Sequence, residues 1–564
     1  SPATSLDNKS AVADLFQEAL FAAFPALKDE TPPFTIAVEK PKNPEHGHFA
    51  VNSALQLAKK LGKNPREVAE SIVKNLPKDI SADIAGPGFI NITLSDESLL
   101  KLAAKKPAKS LKDKVVIAEY SDPNPFKILH AGHLYTSVVG DAIASLLETA
   151  GGKVHRVNYG GDVGLHVGKT MWAMLQDLGG EHPNKLDEIA KSERSEWMAK
   201  CYVAGTNAYE DDPKAKQEII ALNKKVYQLH AAKDKTSAFA HIYWTTRQWS
   251  YDYFDEFYEK IGTKFEKYYP ESEVAELGLT TVKKHVAKGV YEESDGAIVF
   301  RGEPHGLHTR VFINSEGIPT YEAKEVGVML AKWADYKYDK SVIITGNDII
   351  EYMKVVQKSI EMFEPKLVAA TQHITHGNVK LAGGVKMSSR KGNILRAVDV
   401  LDAAEEASKK ISDKNDWNVV LGAVKYSFLK QRTGGDIIYD PEESVSTEGN
   451  SGPYLQYAHA RAHSILEKSQ KTPAKLNDLQ PGERSLVRKL GEYSEVVDRS
   501  VAELMPHHIC TYLYELAQTF NRFYEQNRVV GDPREAERLT LVKNYAETLK
   551  NGLSILNIHA PEKM

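Results

Sequence analysis

The 564-residue sequence predicts a multidomain α/β chain, with a split parallel sheet in the middle, an α+β module before it and an all-α bundle after it. Three observations carry this. A strand-helix-strand run begins at Lys114: the apolar stretch Val115–Glu119, a helical pattern from Ala131 to Ala150, and a second apolar stretch Val154–Tyr159. A second set of such elements runs from Gly296 to Phe363, so an insertion interrupts the sheet. From about Leu401 to Met564 the pattern is helical almost throughout. The first two describe a split Rossmann-like domain, whose ligand crevice lies at the carboxyl ends of its strands.

Each element follows from local signals. Residues 1–110 hold Pro32, Pro33, Pro41 and Pro44, helical patterns at Ala11–Phe24 and Phe49–Leu61, and a strand-like Gly88–Leu94, the marks of a small α+β module. The lysine-rich run Lys101–Lys114 reads as a linker. In the central domain, residues 111–400, the first helix places Leu134, Val138, Val139, Ala142, Leu146 and Leu147 on apolar positions and stops at Gly151-Gly152. Further strands of the sheet are expected near Ala297–Phe300, Arg310–Ile313 and Ser341–Thr345, and helices at Tyr321–Trp333 and Asp348–Phe363. Residues 171–293 or so read as a mostly helical insertion. There Trp249, Tyr253 and Phe257 recur every four residues; this reads as a packed helix face, with a base-stacking platform as the alternative, and no chemistry is assigned to it. Residues 401–564 read as a helical bundle with turns at Gly434-Gly435, Gly449 to Gly452 and Gly531-Asp532-Pro533.

Composition bounds the function. With 42% hydrophobic and 26% charged residues the chain can bury a large core and is not a disordered or disulfide-built protein. Lys plus Arg total 72 against 76 Asp plus Glu, a net charge of -4, so bulk charge makes no case for a nucleic-acid partner. Residues 1–110 carry 14 cationic against 13 anionic side chains and residues 441–564 carry 15 against 17, so any such partner must be held by local patches and shape. Cys201 and Cys510 stand 309 positions apart, which excludes a Cys-x-x-Cys pair, and no structural metal is expected. No apolar run approaches the roughly 18 to 20 residues of a membrane span, and the start lacks the order of a signal peptide. A soluble, cytoplasmic protein without a membrane partner is expected.

The chemistry concentrates in two segments. Between the first strand and its helix lies Ser121-Asp-Pro-Asn-Pro-Phe-Lys127-Ile-Leu-His130-Ala-Gly132-His133. Two imidazoles three positions apart at a helix start share a face where they can hydrogen-bond phosphate oxygens, and Gly132 lacks the Cβ that would keep a nucleotide from the backbone. A zinc reading is weak, because His-x-x-His lacks the Glu and the spacing of His-Glu-x-x-His. The second segment, Lys386-Met387-Ser388-Ser389-Arg390-Lys391-Gly392, is a cationic loop suited to charge that develops on a leaving phosphate. A helix-capping turn and a solvated basic loop are the bland readings of the two segments taken singly.

Taken together, the paired motifs resemble the signatures of class I aminoacyl-tRNA synthetases, and over nearly the whole length the chain is similar to the arginyl-tRNA synthetases. The resemblance rests on Glu119-Tyr-Ser-Asp-Pro-Asn124, on His130-Ala-Gly-His133, on Asn158-Tyr-Gly-Gly161-Asp162-Val-Gly164, on Tyr321-Glu-Ala-Lys-Glu325, on Asn450-Ser-Gly-Pro-Tyr454-Leu-Gln456-Tyr457-Ala-His-Ala-Arg461 and on the C-terminal Ala560-Pro-Glu-Lys-Met564.

The resemblance implies an arginine-tRNA ligase that forms arginyl-adenylate from L-arginine and ATP, with Mg²⁺ accompanying the ATP, and then charges tRNA(Arg), the first step requiring bound tRNA. It implies an arginine pocket of Glu119, Asn124, His133, Tyr321, Glu325 and Asn347. It places ATP on His130, Gly132, His133, Gly161, Asp162, Lys386 and Met387, and tRNA on Tyr454, Gln456, Tyr457 and Arg461; the catalytic set it implies is His130, Gly132, His133, Lys127, Lys386, Ser388 and Arg390, of which Lys127, Lys386 and Arg390 share the pyrophosphate charge. Glu325 and Asn347 stand where relatives more often have aspartate and glutamine, and Ser389-Arg390 departs from the usual loop. The N-terminal module would meet the tRNA elbow, the C-terminal bundle the anticodon, and the protein would be a monomer. The alternative is a catalytically silent synthetase-like protein that only binds tRNA.

Overall fold

The computed structural model describes residues 9–43, 46–78, 80–383 and 395–564. The chain forms two compact units, one gathering Arg461–Val496 and Glu515–Thr548 with the residues up to Pro107, the other holding Ala108–Ala460, Val497–Tyr514 and Leu549–Met564.

In the first unit an antiparallel sheet runs in the spatial order Val38–Glu39, Phe49–Val51, Phe89–Thr93, Ser81–Ala85, backed by the helices Lys9–Ala23, Ser53–Leu61 and Pro65–Lys74. Ile90 and Ile92 are fully buried while Phe89 and Thr93 face out, the two-residue alternation of a strand with one covered side. The stretch Phe49–Leu61, expected as one helix, is a strand followed by a helix. Phe49 and Val51 are buried on either side of half-buried Ala50 and pair with Ile92 and Ile90, and the helix starts only at Ser53. The helix Asp96–Ala104, capped by Ser95, takes up the start of the expected linker. Among the C-terminal helices of this unit, fully buried Glu483 is bracketed by Arg534 at 2.6 Å and Arg538 at 2.9 Å, which compensates the cost of burying its charge.

The second unit is built on five strands in the order Thr371–His376, Lys340–Gly346, Val115–Glu119, Lys153–Gly160, Lys267–Pro270, every neighbouring pair parallel. Val116, Ile117 and Ala118 are fully buried, as are Val342, Ile343 and Ile344, the continuous apolar runs expected of strands covered on both faces. The helix Ala131–Thr149 crosses the sheet at Gly140, where a Cβ would come within 2.2 Å of the Tyr120 ring, so only glycine permits that approach. From Val115–Glu119 the chain steps to one side, to Lys153–Gly160, and later returns to the other, at Lys340–Gly346. The direction of winding therefore switches beside Glu119, where it sits in register with Ile343.

Three expectations need correction. Ala297–Phe300 and Arg310–Ile313 do not join the parallel sheet; with Glu292–Ser294 they form a separate antiparallel sheet, because the short reversal at Asp295-Gly296 pairs neighbouring strands directly. The stretch read as insertion contains the edge strand Lys267–Pro270. The other edge, Thr371–His376, was not anticipated: Thr-Gln-His-Ile-Thr-His has a single aliphatic residue. In the helix Ala238–Ile261, Trp249 and Phe257 are buried, so that aromatic row is a packed face.

Candidate active site

The carboxyl ends of all five parallel strands border one cavity of about 750 Å³. Its walls include Glu119 and Ser121 at the end of the first strand, Tyr159 to Gly161 at the end of the second, Glu271 just after the Lys267–Pro270 edge, Ile344 to Asp348 at the end of Lys340–Gly346, and His376 at the end of the last. His130, Gly132, His133, Asn124, Tyr321, Glu325 and Asn347, expected from the sequence, all line it.

One wall is the start of the helix Ala131–Thr149. His130 caps it, its Nδ1 accepting the Gly132 N–H at 3.0 Å, and His133 Nδ1 accepts the His130 N–H at 3.1 Å. With both Nδ1 atoms acting as acceptors, the one proton of each neutral ring resides on Nε2. Enclosure by the cavity walls, reinforced by the Lys127 charge, holds His130 below its ordinary pKa; enclosure, His130 and Lys127 hold His133 well below it. Both rings are therefore neutral near pH 7, with Nε2–H donors at the positive end of a helix. A Cβ on Gly132 would stand 2.7 Å from His130 Cε1. The glycine thus makes room for the His130 ring while itself lining the cavity.

The preceding loop is strained to shape the floor, since Ser121, Asp122 and Phe126 all adopt positive φ, of 73°, 48° and 68°. Two asparagines and an aspartate fasten it to the second strand. The Asp122 N–H donates to Asn158 at 2.7 Å, Tyr159 N–H to Asp122 at 2.8 Å, and Gly161 N–H to Asn124 at 2.7 Å. Asn124 therefore anchors the Gly160-Gly161 turn with its oxygen. Neither glycine tolerates a side chain: a Cβ would meet Pro123 O at 2.2 Å and Glu271 Oε2 at 2.7 Å.

The floor is carboxylate-rich. Glu119 and Lys332 pair at 2.5 Å with each side chain 1% exposed. Burial alone would raise Glu119, but Lys332 and a hydrogen bond from Asp122 outweigh it and keep the carboxyl below its usual range; burial and the Glu119 charge push Asp122 well above. Glu325, 3% exposed, is pushed up to about 8 by burial and by Glu119. Glu271 pairs with Lys324, which also donates to Tyr227 at 3.1 Å. Tyr321, at the start of the helix Tyr321–Tyr336, is 64% exposed at the rim, and Asn347 donates to the Gly434 carbonyl at 3.2 Å.

Other expected residues fall elsewhere. Asp162 is fully buried off the cavity, and its carboxylate is spent on Ser272 N–H at 2.9 Å, Ser272 Oγ at 2.6 Å and Arg247 at 3.0 Å, so it braces the Gly161 turn and cannot reach a nucleotide. Lys127 does not line the cavity, though its charge is felt by His130, His133 and His166; burial and Lys169 lower its pKa. Gln456 is fully buried and donates to the carbonyls of Asn418 at 3.0 Å and His559 at 2.9 Å, which removes it from any tRNA surface. Tyr454 meets Tyr514 edge to face, Tyr457 is 52% exposed, and the Arg461 guanidinium lies over the Tyr524 ring at 5.3 Å. Lys386, Met387, Ser388 and Arg390 lie outside the described residues. Sequence reading assigned no role to Asp122, Glu271, Lys332, Tyr352 and His376; Asp122 stands inside the quoted motif Glu119–Asn124, Glu271 lies in the stretch read as insertion, and Lys332 follows Glu325 by seven positions on one helix.

A parallel sheet with a switch point at Glu119 and a capped His-x-Gly-His helix above it has the architecture of a class I aminoacyl-tRNA synthetase. Residues 96–439 match the family described as tRNA synthetases class I (R), catalytic domain, residues 10–94 the arginyl tRNA synthetase N terminal domain, and residues 455–564 the DALR anticodon binding domain. The chain belongs to the arginyl-tRNA synthetase family. It is 30% identical to the arginine–tRNA ligase of Bdellovibrio bacteriovorus, with 98% of each chain covered, and 30% identical to that of a Synechococcus species, again over 98% of each. In fold it is similar to the Thermus thermophilus arginyl-tRNA synthetase, with a TM-score of 0.76 at 24% identity over 99% of this chain and 100% of that one.

Proposed function

We propose that the chain is an arginine-tRNA ligase. It condenses the L-arginine carboxylate with the α-phosphorus of ATP, releasing pyrophosphate, and passes the arginyl group of the adenylate to the terminal ribose hydroxyl of tRNA(Arg), releasing AMP. The observation that carries this reading is the meeting, in one cavity, of the neutral His130 and His133 rings with a floor built around Glu119 and Glu325.

ATP lies along the helix start, its phosphates taking Nε2–H of His130 and His133, with the turn at Gly161 against the nucleotide. Neutral donors suit this step because they follow charge migrating toward the leaving pyrophosphate without forming a fixed ion pair in the ground state. Arginine lies across the switch point with its guanidinium toward Glu325 and its carboxylate toward His133, bordered by Asn124, Tyr321 and Asn347. Five N–H donors in a plane match a carboxylate floor, and an uncharged or shorter side chain would leave Glu325 without a partner. Lys127, with Lys386, Ser388 and Arg390, serves the pyrophosphate. Mg²⁺ arrives on the phosphates of ATP: among the described residues no group of three or more His, Cys, Asp and Glu is arranged to hold an ion, and no step is assigned through it.

Residues 1–110 meet the tRNA elbow, residues 401–564 the anticodon limb, and Tyr454, Tyr457 and Arg461 contribute to that contact. The protein acts as a monomer in the cytoplasm; among the described residues no helix is long and apolar enough to cross a membrane. The first step waits for bound tRNA. Charging of tRNA with labelled arginine, against lysine, glutamine and cysteine, tests the reading. Arginine alone should be attached, and attachment of another amino acid, or of none, overturns it.

A further inference from the structure

Glu325 and Lys332 stand seven positions apart on the helix Tyr321–Tyr336, hence on one face, and that face packs over the end of the strand carrying Glu119. Lys332 is 1% exposed and its nearest anion is Glu119, at 2.5 Å. A lysine so deeply placed persists only because it is paired, and the pairing keeps one of the two pocket glutamates ionised. The groups around Glu325 are Glu119 and Asp122 from the first strand and its loop, Tyr159 from the second strand, Glu271 and Tyr352 from neighbouring helices, and Lys332 from its own. Glu271 is already paired with Lys324. Asp122 is taken up by the Tyr159 N–H at 2.8 Å and by a hydrogen bond with Glu119, which leaves Glu325 as the cavity-lining carboxyl without a salt bridge among these groups.

We propose that Lys332 is a resident cation of the amino-acid pocket: by direct pairing it keeps Glu119 ionised, which leaves the neighbouring Glu325 as the carboxyl that takes one permanently charged guanidinium in exchange for one proton. The inference rests on the arginine reading above. In the empty pocket Glu325 keeps its proton, held by burial and by Glu119. When the guanidinium docks, the O–H bond of Glu325 breaks, the proton passes to bulk solvent and the carboxylate remains paired with the ligand. Lys332 is a positioning residue, acting through Glu119 and Glu325 without touching the substrate.

Calorimetric titration of the full chain with arginine at pH 7, in two buffers of different ionisation enthalpy, counts the protons. The wild type should release close to one per arginine, as a carboxyl near 8 that ionises on binding requires, and citrulline, whose neutral urea cannot fix a carboxylate, should release none. In Lys332→Met, Glu119 loses its cation and must also shed a proton when arginine enters, so the count should rise and affinity fall about tenfold or more. Glu119→Gln combined with Lys332→Met removes both members of the pair, keeps the fold if the single variant does not, and should return the count to the wild-type value. Lys332→Arg should do the same. An unchanged count and affinity in Lys332→Met, or a wild type that binds arginine without releasing protons, overturns this inference. A folded wild type that binds no arginine instead overturns the functional reading beneath it.

Discussion

The His130 and His133 rings lie tilted at 33° with centroids 3.9 Å apart, and each accepts a backbone N–H of the same helix start through Nδ1, His130 from Gly132 and His133 from His130. The motif therefore combines a structural half, the Nδ1 atoms that close the helix end, with a chemical half, the Nε2–H groups that face the cavity.

Substitution should separate the halves. Asparagine caps a helix as well as any residue, so His130→Asn should leave thermal unfolding almost unchanged while removing the donor. The adenylate-forming rate should fall by ~10²–10³, the scale of deleting one transition-state hydrogen bond. His130→Ala should lose the same rate and, in addition, about 1 kcal/mol of stability. Single-turnover kinetics and denaturant unfolding of both variants check this.

Gly132→Ala tests the ring placement. The added Cβ would press His130 Cε1 at 2.7 Å and turn the ring, which is the movable end of a side chain. The fold should survive and the rate should drop about tenfold or more, a cost of at least ~1.4 kcal/mol in the barrier. A full-rate alanine variant would show that the His130 position is not needed.

Glu325 gives the pocket a pH dependence of fixed sign. Its pKa of about 8 lies above the unfolded value of 4.5, so its contribution to stability is full below 4.5 and is lost as pH rises through 8. Glu325→Gln, which has no charge to bury, should gain stability relative to wild type as pH is raised from 6 to 9. On the proposed role of Glu325 as the guanidinium's partner, KM for arginine should rise ~tenfold for each pH unit below 8 and level off above it. The glutamine variant should show a high, flat KM. Thermal denaturation and initial rates across that range read both effects.

Arg247→Met should act on the scaffold. Asp162 would remain fully buried with Ser272 as its partner but no cation, and breaking a buried pair from one side costs about 3–5 kcal/mol. Urea unfolding should show a loss of that order, and Asp162→Asn combined with Arg247→Met should recover part of it.

Tyr457→Ala and Gln456→Ala should part company. The exposed tyrosine, if it stacks on a base, contributes ~1–3 kcal/mol to tRNA binding, and its removal should raise KM for tRNA without loss of stability. The buried glutamine carries two hydrogen bonds, one to the helix Trp417–Leu429 and one to the C-terminal segment at His559, so its removal should lower stability first.

Much of this was legible in the chain. The aliphatic runs Val115–Glu119 and Lys340–Gly346 announce buried strands, and a His-x-Gly-His after the first of them marks a crevice. The edges were harder, because Thr371–His376 is mostly polar and Lys267–Pro270 is short and ends in proline, and an edge strand need not be apolar on both faces. Periodicity identified Ala297–Phe300 and Arg310–Ile313 as strands yet cannot say which partner a strand takes. Site residues carried by motifs were found. Lys332, a lysine in an ordinary helical pattern, resembles any solvated position until the fold brings Glu119 against it, and Gln456 inside a recognised motif proves to tie its helix to Asn418 and to the C-terminal segment at His559.

ATP–pyrophosphate exchange with and without tRNA, in wild type and Glu325→Gln, tests the central claim most directly. Arginine should drive exchange in the wild type only when tRNA is present, and Glu325→Gln should lose it at arginine concentrations that saturate the wild type. Exchange driven equally by another amino acid, or undiminished in the glutamine variant, would contradict an arginine-activating site centred on Glu325.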